Sequence, residues 1–173
     1  MNQINFNKDK RGYFTRLYDK NNINKSSINY GEIVNINESF SKNNGTFRGF
    51  HMQKNPYQEN KILRCVSGSL LNIIICLNKG DSYFGKIKII ELLAGEEKIN
   101  LVPKGWANSI LTTQENTKLI YFVDEYYNEK SEICLNYRSY FFPNEYKSLI
   151  TTISEKDDNS QIIKSIHELK NLL

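Results

Sequence analysis

The chain has 173 residues, of which 39% are hydrophobic and 12% aromatic, and a formal net charge of +4. This suffices for one domain with a real core, expected over residues 1–173, and is too short for two; the apolar content excludes a generally disordered chain. The mild positive charge suits an anionic small molecule such as a pyrophosphate, and without a dense Lys/Arg cluster it points away from nucleic acid.

In chain order, the opening MNQINFNKDKRG has no apolar stretch that could act as a signal peptide. Short runs rich in Ile, Val, Phe and Tyr then recur at residues 12–18, 30–39, 46–53, 61–67, 69–77, 85–93, 98–103, 109–113 and 118–123. Polar punctuation separates them, including Lys42-Asn43-Asn44-Gly45, Asn78-Lys79-Gly80-Asp81 and Gly95-Glu96-Glu97. Many short strands at this spacing predict an all-β sandwich or barrel. The run Leu70-Leu71-Asn72-Ile73-Ile74-Ile75 is apolar on both faces, so something must cover each side of it. It is far too short to cross a bilayer, and a cytoplasmic protein without membrane contact is expected. Near the end the period changes. Ile162, Ile163, Ile166, Leu169, Leu172 and Leu173 recur at helical spacing, which predicts a helix over 161–171 capped by Ser160 or Asn159 and laid across the barrel.

Cys65, Cys76 and Cys134 sit in apolar contexts with no CxxC spacing, as reduced buried thiols do. The chain has two histidines, His51 and His167. A metal site of two or three His plus a carboxylate cannot be built from the single His of the strand region, so neither metal nor cofactor is expected. His51 is left with acid–base work or a structural role; His167 reads as a surface or packing residue of the terminal helix. Within Phe47-Arg48-Gly49-Phe50-His51-Met52-Gln53, strict alternation would send Arg48 and His51 to opposite faces. A bulge at Gly49 would bring both to one site. Lys61 opens the next strand, where it either faces solvent or stabilises developing negative charge.

These residues carry a resemblance. Asp9-Lys10-Arg11-Gly12-Tyr13-Phe14, Asn35-Ile36-Asn37-Glu38-Ser39, residues 47–53 and Lys61-Ile62-Leu63-Arg64-Cys65 resemble successive motifs of the dTDP-4-dehydrorhamnose 3,5-epimerase family. Ser82-Tyr83-Phe84-Gly85, Val102-Pro103-Lys104-Gly105-Trp106-Ala107, Leu119-Ile120-Tyr121 and Ile153-Ser154-Glu155-Lys156-Asp157 continue it in order. The resemblance implies a cupin jelly-roll barrel with a short C-terminal helix, in a homodimer that exchanges N-terminal strands. It also implies the roles. His51 resembles the general base, Asp157 its orienting carboxylate, Tyr121 the acid on the opposite face, and Lys61 the cation near the ketone oxygen. Arg48, and Arg11 from a second copy, resemble pyrophosphate contacts; Asn35 and Asn37 fall where the nucleoside is held, and Gln53 joins the substrate-binding set. Such a set fits the chemistry. Removing a proton beside a carbonyl makes an enolate, and inversion needs a base on one face with an acid on the other.

Three positions depart from the family pattern. Asn108 replaces a His, Arg16 stands where a Glu is usual, and Tyr137 replaces an acidic residue. They predict a related substrate: a 4-keto-6-deoxy hexose or heptose linked to dTDP, GDP or CDP, with Arg16 favouring guanine or cytosine because a guanidinium only donates. The leading expectation is an epimerase acting at C3, C5 or both for surface-polysaccharide synthesis. A single-centre epimerase, a sugar 3,4-ketoisomerase on the same fold and a non-catalytic nucleotide-sugar-binding barrel are the alternatives.

Overall fold

A computed structural model describes residues 4–19, 21 and 30–172. A hairpin of β1 (Phe6–Asp9) and β2 (Gly12–Thr15) is followed by the ten strands that build the body. These are β3 (Asn35–Ser41), β4 (Thr46–Gln53), β5 (Lys61–Ser67), β6 (Ser69–Cys76), β7 (Ile87–Leu93), β8 (Asn100–Val102), β9 (Trp106–Thr112), β10 (Thr117–Val123), β11 (Glu132–Cys134) and β12 (Thr152–Ile153). Among the described residues there are also a 3-10 turn at Glu129–Ser131 and three short α-helices, α1 (Asn144–Lys147), α2 (Glu155–Asp158) and α3 (Ile166–Leu172).

The strands form two facing sheets, one ordered β3-β10-β5-β8 and the other β11-β4-β9-β6-β7, with β12 added in parallel to β4. This is an all-β barrel, as the punctuated strand pattern implies, in the jelly-roll form that the family resemblance implies. Leu63, Cys65 and Leu119 of the first sheet meet Leu70, Ile74, Cys76 and Ile110 of the second, filling the space between them. The other face of the second sheet packs Phe47, Phe50, Ile73, Ile75 and Leu111 against Leu135, Phe142, Ile163 and Leu169 of the C-terminal segment. Outside the first sheet, Ile4 and Tyr30 cover Ile62 and Phe122. The two-sided apolarity of β6 therefore has a simple cause: it lies between the barrel interior and the C-terminal coat, and burying each such side chain contributes about 1.5–3 kcal/mol.

Gly49 makes the bulge. In the β4–β9 pairing Arg48 faces Ile110 while His51 faces Asn108, three steps on one strand against two on the other. Gly49 adopts φ +123°, and a Cβ there would stand 2.6 Å from the Asn108 carbonyl oxygen and from Ser109 Cβ. Phe47, Phe50 and Met52 consequently point outward into the C-terminal coat, while Arg48 and His51 both point into the barrel.

The terminal helix differs from expectation. It begins at Ile166, because residues 161–163 are held as extended chain: Asn136 N–H donates to Gln161 O at 2.9 Å and Tyr140 N–H to Ile163 O at 2.9 Å. Ser160 is not a cap, since its hydroxyl donates to Asp157 O at 2.6 Å; Ser165 Oγ instead accepts from Glu168 N–H. Ile163 and Leu169 are buried, whereas Ile162 and Ile166 are exposed, as is His167. Leu173 lies outside the described residues. The first β-run is also shorter than read, ending at Thr15, and the second begins at Asn35 because Tyr30 is buried beneath the sheet, its hydroxyl donating to Phe122 O. No helix among the described residues is long and apolar enough to cross a membrane.

Candidate active site

Two adjoining cavities of about 270 and 280 Å³ open between the sheets and share His51, Lys61 and Tyr121. The walls come from different sheets, with His51 on β4 and Tyr121 on β10, and the floor is Leu63, Ile110 and Leu119.

His51 is anchored from behind. Its Nε2 lies 2.7 Å from Asp157 Oδ1, and the other carboxylate oxygen, Oδ2, accepts the Gly49 N–H at 3.1 Å. Asp157 is buried at 3% exposure on α2, where Ser154 is the N-cap and accepts the Asp157 N–H. Burial alone would raise the Asp157 carboxyl, but the hydrogen bond and charge of His51, with the Gly49 and Ser154 contacts, hold it below the usual carboxylate range. In the neutral ring an ionised Asp157 accepts Nε2–H, and that tautomer makes Nδ1 the acceptor nitrogen.

Tyr121 is half-buried on the opposite wall. Burial first, then the negative charge of Glu59, push its phenol up, against an opposing pull from Arg48. The phenol therefore stays protonated and able to donate. Lys61 is 12% exposed and pairs with Glu59, 14% exposed, at 2.9 Å. This places a held ammonium, not a solvated one, between the two cavities. Arg48 sits at the mouth, with Nη2 donating to Phe40 O at 3.0 Å.

A dTDP-4-dehydrorhamnose 3,5-epimerase model matches residues 1–165. The chain belongs to that family. The family is one of isomerase-class sugar epimerases in nucleotide-sugar biosynthesis, and this chain is such an enzyme. It is 28% identical to the dTDP-4-dehydrorhamnose 3,5-epimerase of Sinorhizobium fredii, over 88% of this chain and 78% of the relative. The Shigella flexneri enzyme of the same name is 26% identical, over 88% and 84%. Among solved structures, the Bacillus anthracis epimerase with TDP and PPi bound is 28% identical, with a TM-score of 0.86 over 93% of this chain and 91% of that one. The Elizabethkingia anophelis epimerase is 27% identical, with a TM-score of 0.83 over 92% and 88%.

Of the residues singled out by family resemblance, the structure gathers His51, Tyr121, Lys61, Asp157, Arg48 and Asn108 around one cavity and Asn35, Asn37 and Gln53 around the other. It does not bring Arg11 or Arg16 there within this chain. Arg11 is 84% exposed and bound to Asp9 of its own hairpin, and Arg16 is 67% exposed and paired with Asp19 at 3.2 Å. Gln53 lines the second cavity with its polar groups bonded within the chain. It is buried, its NH2 donates to Tyr57 O and Tyr126 O, and its Oε1 accepts the Asn128 N–H, so it fastens the loop that edges the cavity.

Sequence reasoning missed Glu59, Glu132 and Cys134. Glu59 could have been read from its place two residues before Lys61. Glu132 and Cys134 arrive on β11 beside β4, in a strand too short to announce itself. With His51 they form a group of metal-ligating types whose atoms lie within 4.8 Å, which a count of histidines could not foresee. The donor set suits an ion poorly. Glu132 already accepts from Lys156 Nζ at 2.6 Å and Tyr127 Oη at 3.0 Å, and burial, then Glu132's charge, push the Cys134 thiol up to about 11.

Proposed function

We propose that the chain inverts one or both carbons flanking the ketone of a nucleotide-linked 4-keto-6-deoxy sugar, and that dTDP carries the preferred substrate. The observation that supports this best is the carboxylate-anchored His51 and the protonated Tyr121 on opposite walls of one cavity. His51 Nδ1 takes the proton beside the carbonyl, and the C–H electron pair becomes the enolate double bond. The charge that moves onto the carbonyl oxygen is met by Lys61. The Tyr121 O–H then protonates the other face, and solvent returns a proton to the phenolate and removes one from His51. A site that only bound a nucleotide sugar would not need this matched base and acid.

The two cavities together suit a sugar and its nucleotide, with Arg48 at the mouth for phosphate and Asn35 and Asn37 beyond it. Arg16, the residue that would favour GDP or CDP, bonds Asp19 in this chain, whereas the Bacillus anthracis relative is bound to TDP. A homodimer with exchanged N-terminal strands is part of the reading. The β1–β2 hairpin pairs with neither large sheet, Tyr13 and Phe14 are exposed on it, and β3 is a sheet edge carrying exposed Ile36 and Phe40. In that assembly Arg11 reaches the phosphates of its partner's site, and the enzyme works in the cytoplasm on surface-polysaccharide precursors.

The test is incubation with dTDP-, GDP- and CDP-linked 4-keto-6-deoxy sugars in D₂O, following deuterium at C3 and C5 by NMR. Deuterium at both positions with inverted product supports a 3,5-epimerase, and at one position a single-centre enzyme. Fastest turnover of a GDP- or CDP-linked sugar overturns the nucleotide preference. Failure of all three to exchange, or wild-type exchange in His51→Asn, sinks the reading.

A further inference from the structure

The apolar run of β6 contains one polar residue, Asn72, which is fully buried and faces the barrel interior between Leu70 and Ile74. A buried carboxamide needs partners for two N–H donors and an acceptor, and Asn72 has all three. Its Nδ2 donates to Ser109 O at 2.8 Å and to Asn108 Oδ1 at 2.6 Å, and its Oδ1 accepts from Asn100 Nδ2 at 2.5 Å. Asn100, on β8 of the opposite sheet, is also buried.

The polarity of this chain follows from chemistry alone. Ser109 O is a backbone carbonyl and can only accept, so the group of Asn72 that faces it must be the NH2. The same NH2 faces Asn108, so the Asn108 atom turned toward Asn72 must be its oxygen. The Asn108 NH2 is then directed elsewhere. No described residue accepts from it, and Asn108 lines the cavity directly across the β4–β9 ladder from His51.

We propose that Asn72 and Asn100 are positioning residues that lock the Asn108 carboxamide with its oxygen in the barrel wall and its NH2 in the cavity. Asn108 is thereby a fixed, neutral hydrogen-bond donor to a sugar oxygen next to the carbon that His51 deprotonates. This rests on the epimerase reading above. A histidine at this position would offer a donor whose charge changes with pH; the amide donates equally at every working pH.

The experiment is a double-mutant cycle on kcat for solvent exchange, with Asn72→Leu, Asn108→Ala and their combination, plus Asn108→Asp. Loss of one preorganised donor lowers kcat about 10²-fold, so Asn108→Ala should show that loss with KM moving less. Asn72→Leu should lower kcat by a smaller factor in the wild type and change it by less than about twofold in the Asn108→Ala background, because it acts through Asn108. Asn108→Asp keeps the acceptor for Asn72 but turns a carboxylate oxygen toward the developing enolate, so it should be slower than Asn108→Ala. Equal losses from Asn72→Leu in both backgrounds, or an Asn108→Asp enzyme as fast as Asn108→Ala, overturn the proposal. A second measurement needs neither variants nor turnover: NMR couplings across the hydrogen bonds of labelled wild-type protein should run from Asn72 Nδ2 to Asn108 Cγ. Coupling in the reverse sense refutes the orientation. Wild-type protein that exchanges no 4-keto sugar while retaining the expected coupling would instead refute the epimerase reading alone.

Discussion

Gly49→Ala should damage stability and catalysis together. The residue sits at φ +123°, where an L side chain costs about 1–3 kcal/mol. Its new Cβ would also lie 2.6 Å from Asn108 O, 2.6 Å from Ser109 Cβ and 2.8 Å from Ser109 Cα, atoms of a central strand that cannot swing aside. Forcing a methyl group into such a packed place costs about 1–3 kcal/mol more. The sum, about 2–6 kcal/mol, is a large share of a domain's usual 5–15 kcal/mol. Gly95→Ala is the control, since Gly95 has φ +81° but no atom within 4 Å of its Cβ, so only the backbone cost of about 1–2 kcal/mol applies. Urea unfolding followed by Trp106 fluorescence should show the Gly49→Ala midpoint lowered by about 1–3 M with an unchanged slope. Solvent exchange into substrate should fall as well, because relieving the clash lifts His51 away from Asn108 and draws the Gly49 N–H off Asp157. A Gly49→Ala protein as stable as Gly95→Ala, exchanging at the wild-type rate, would refute the claim that the bulge depends on glycine.

Asp157→Asn removes the counter-charge to the imidazolium formed in proton abstraction, and should slow exchange by about 10²–10⁴-fold while leaving more activity than His51→Asn. Because the folded Asp157 carboxyl lies below its ordinary 3.8, its stabilising contribution is complete above that value and is lost as pH falls through the lower folded one; an acid titration of Asp157→Asn should therefore be flatter below about pH 4. Tyr121→Phe should retain deuterium exchange at the abstracted position while forming little inverted product, and normal inversion would show that another group delivers the proton. Cys134, which is half-buried where a buried thiol is expected, has its thiol pushed up to about 11 and should react slowly with iodoacetamide at pH 8 and gain rate up to about pH 11; a plateau by pH 9 would contradict the effect of its partial burial beside Glu132.

The strands of the body were legible because alternation and turn residues report them locally, and Gly49 betrayed the bulge because a glycine between Arg48 and His51 has few other uses. What could not be read depends on distant chain. The 161–163 segment has a helical pattern, yet its backbone is claimed by Asn136 and Tyr140, so tertiary hydrogen bonds overrode the period. Gln53 carries the polarity expected of a ligand, but only the fold reveals that Tyr57, Tyr126 and Asn128 occupy it. Asn72 lies within a run that reads as apolar on both faces, and its partners on two other strands are visible only in the fold.

In the proposed mechanism the base and the acid stand on different sheets, and most of the filling that spaces those sheets is hydrocarbon. Leu63, Ile110 and Leu119 form both the cavity floor and part of the filling between the sheets, so their bulk sets the gap that a flat enolate must bridge from His51 to Tyr121. If His51 and Tyr121 act as proposed, the handedness of the product depends on a spacer with no chemistry of its own. Exchanging a few methyl groups in that spacer is expected to alter which carbons are turned over, leaving His51, Tyr121 and Lys61 in place.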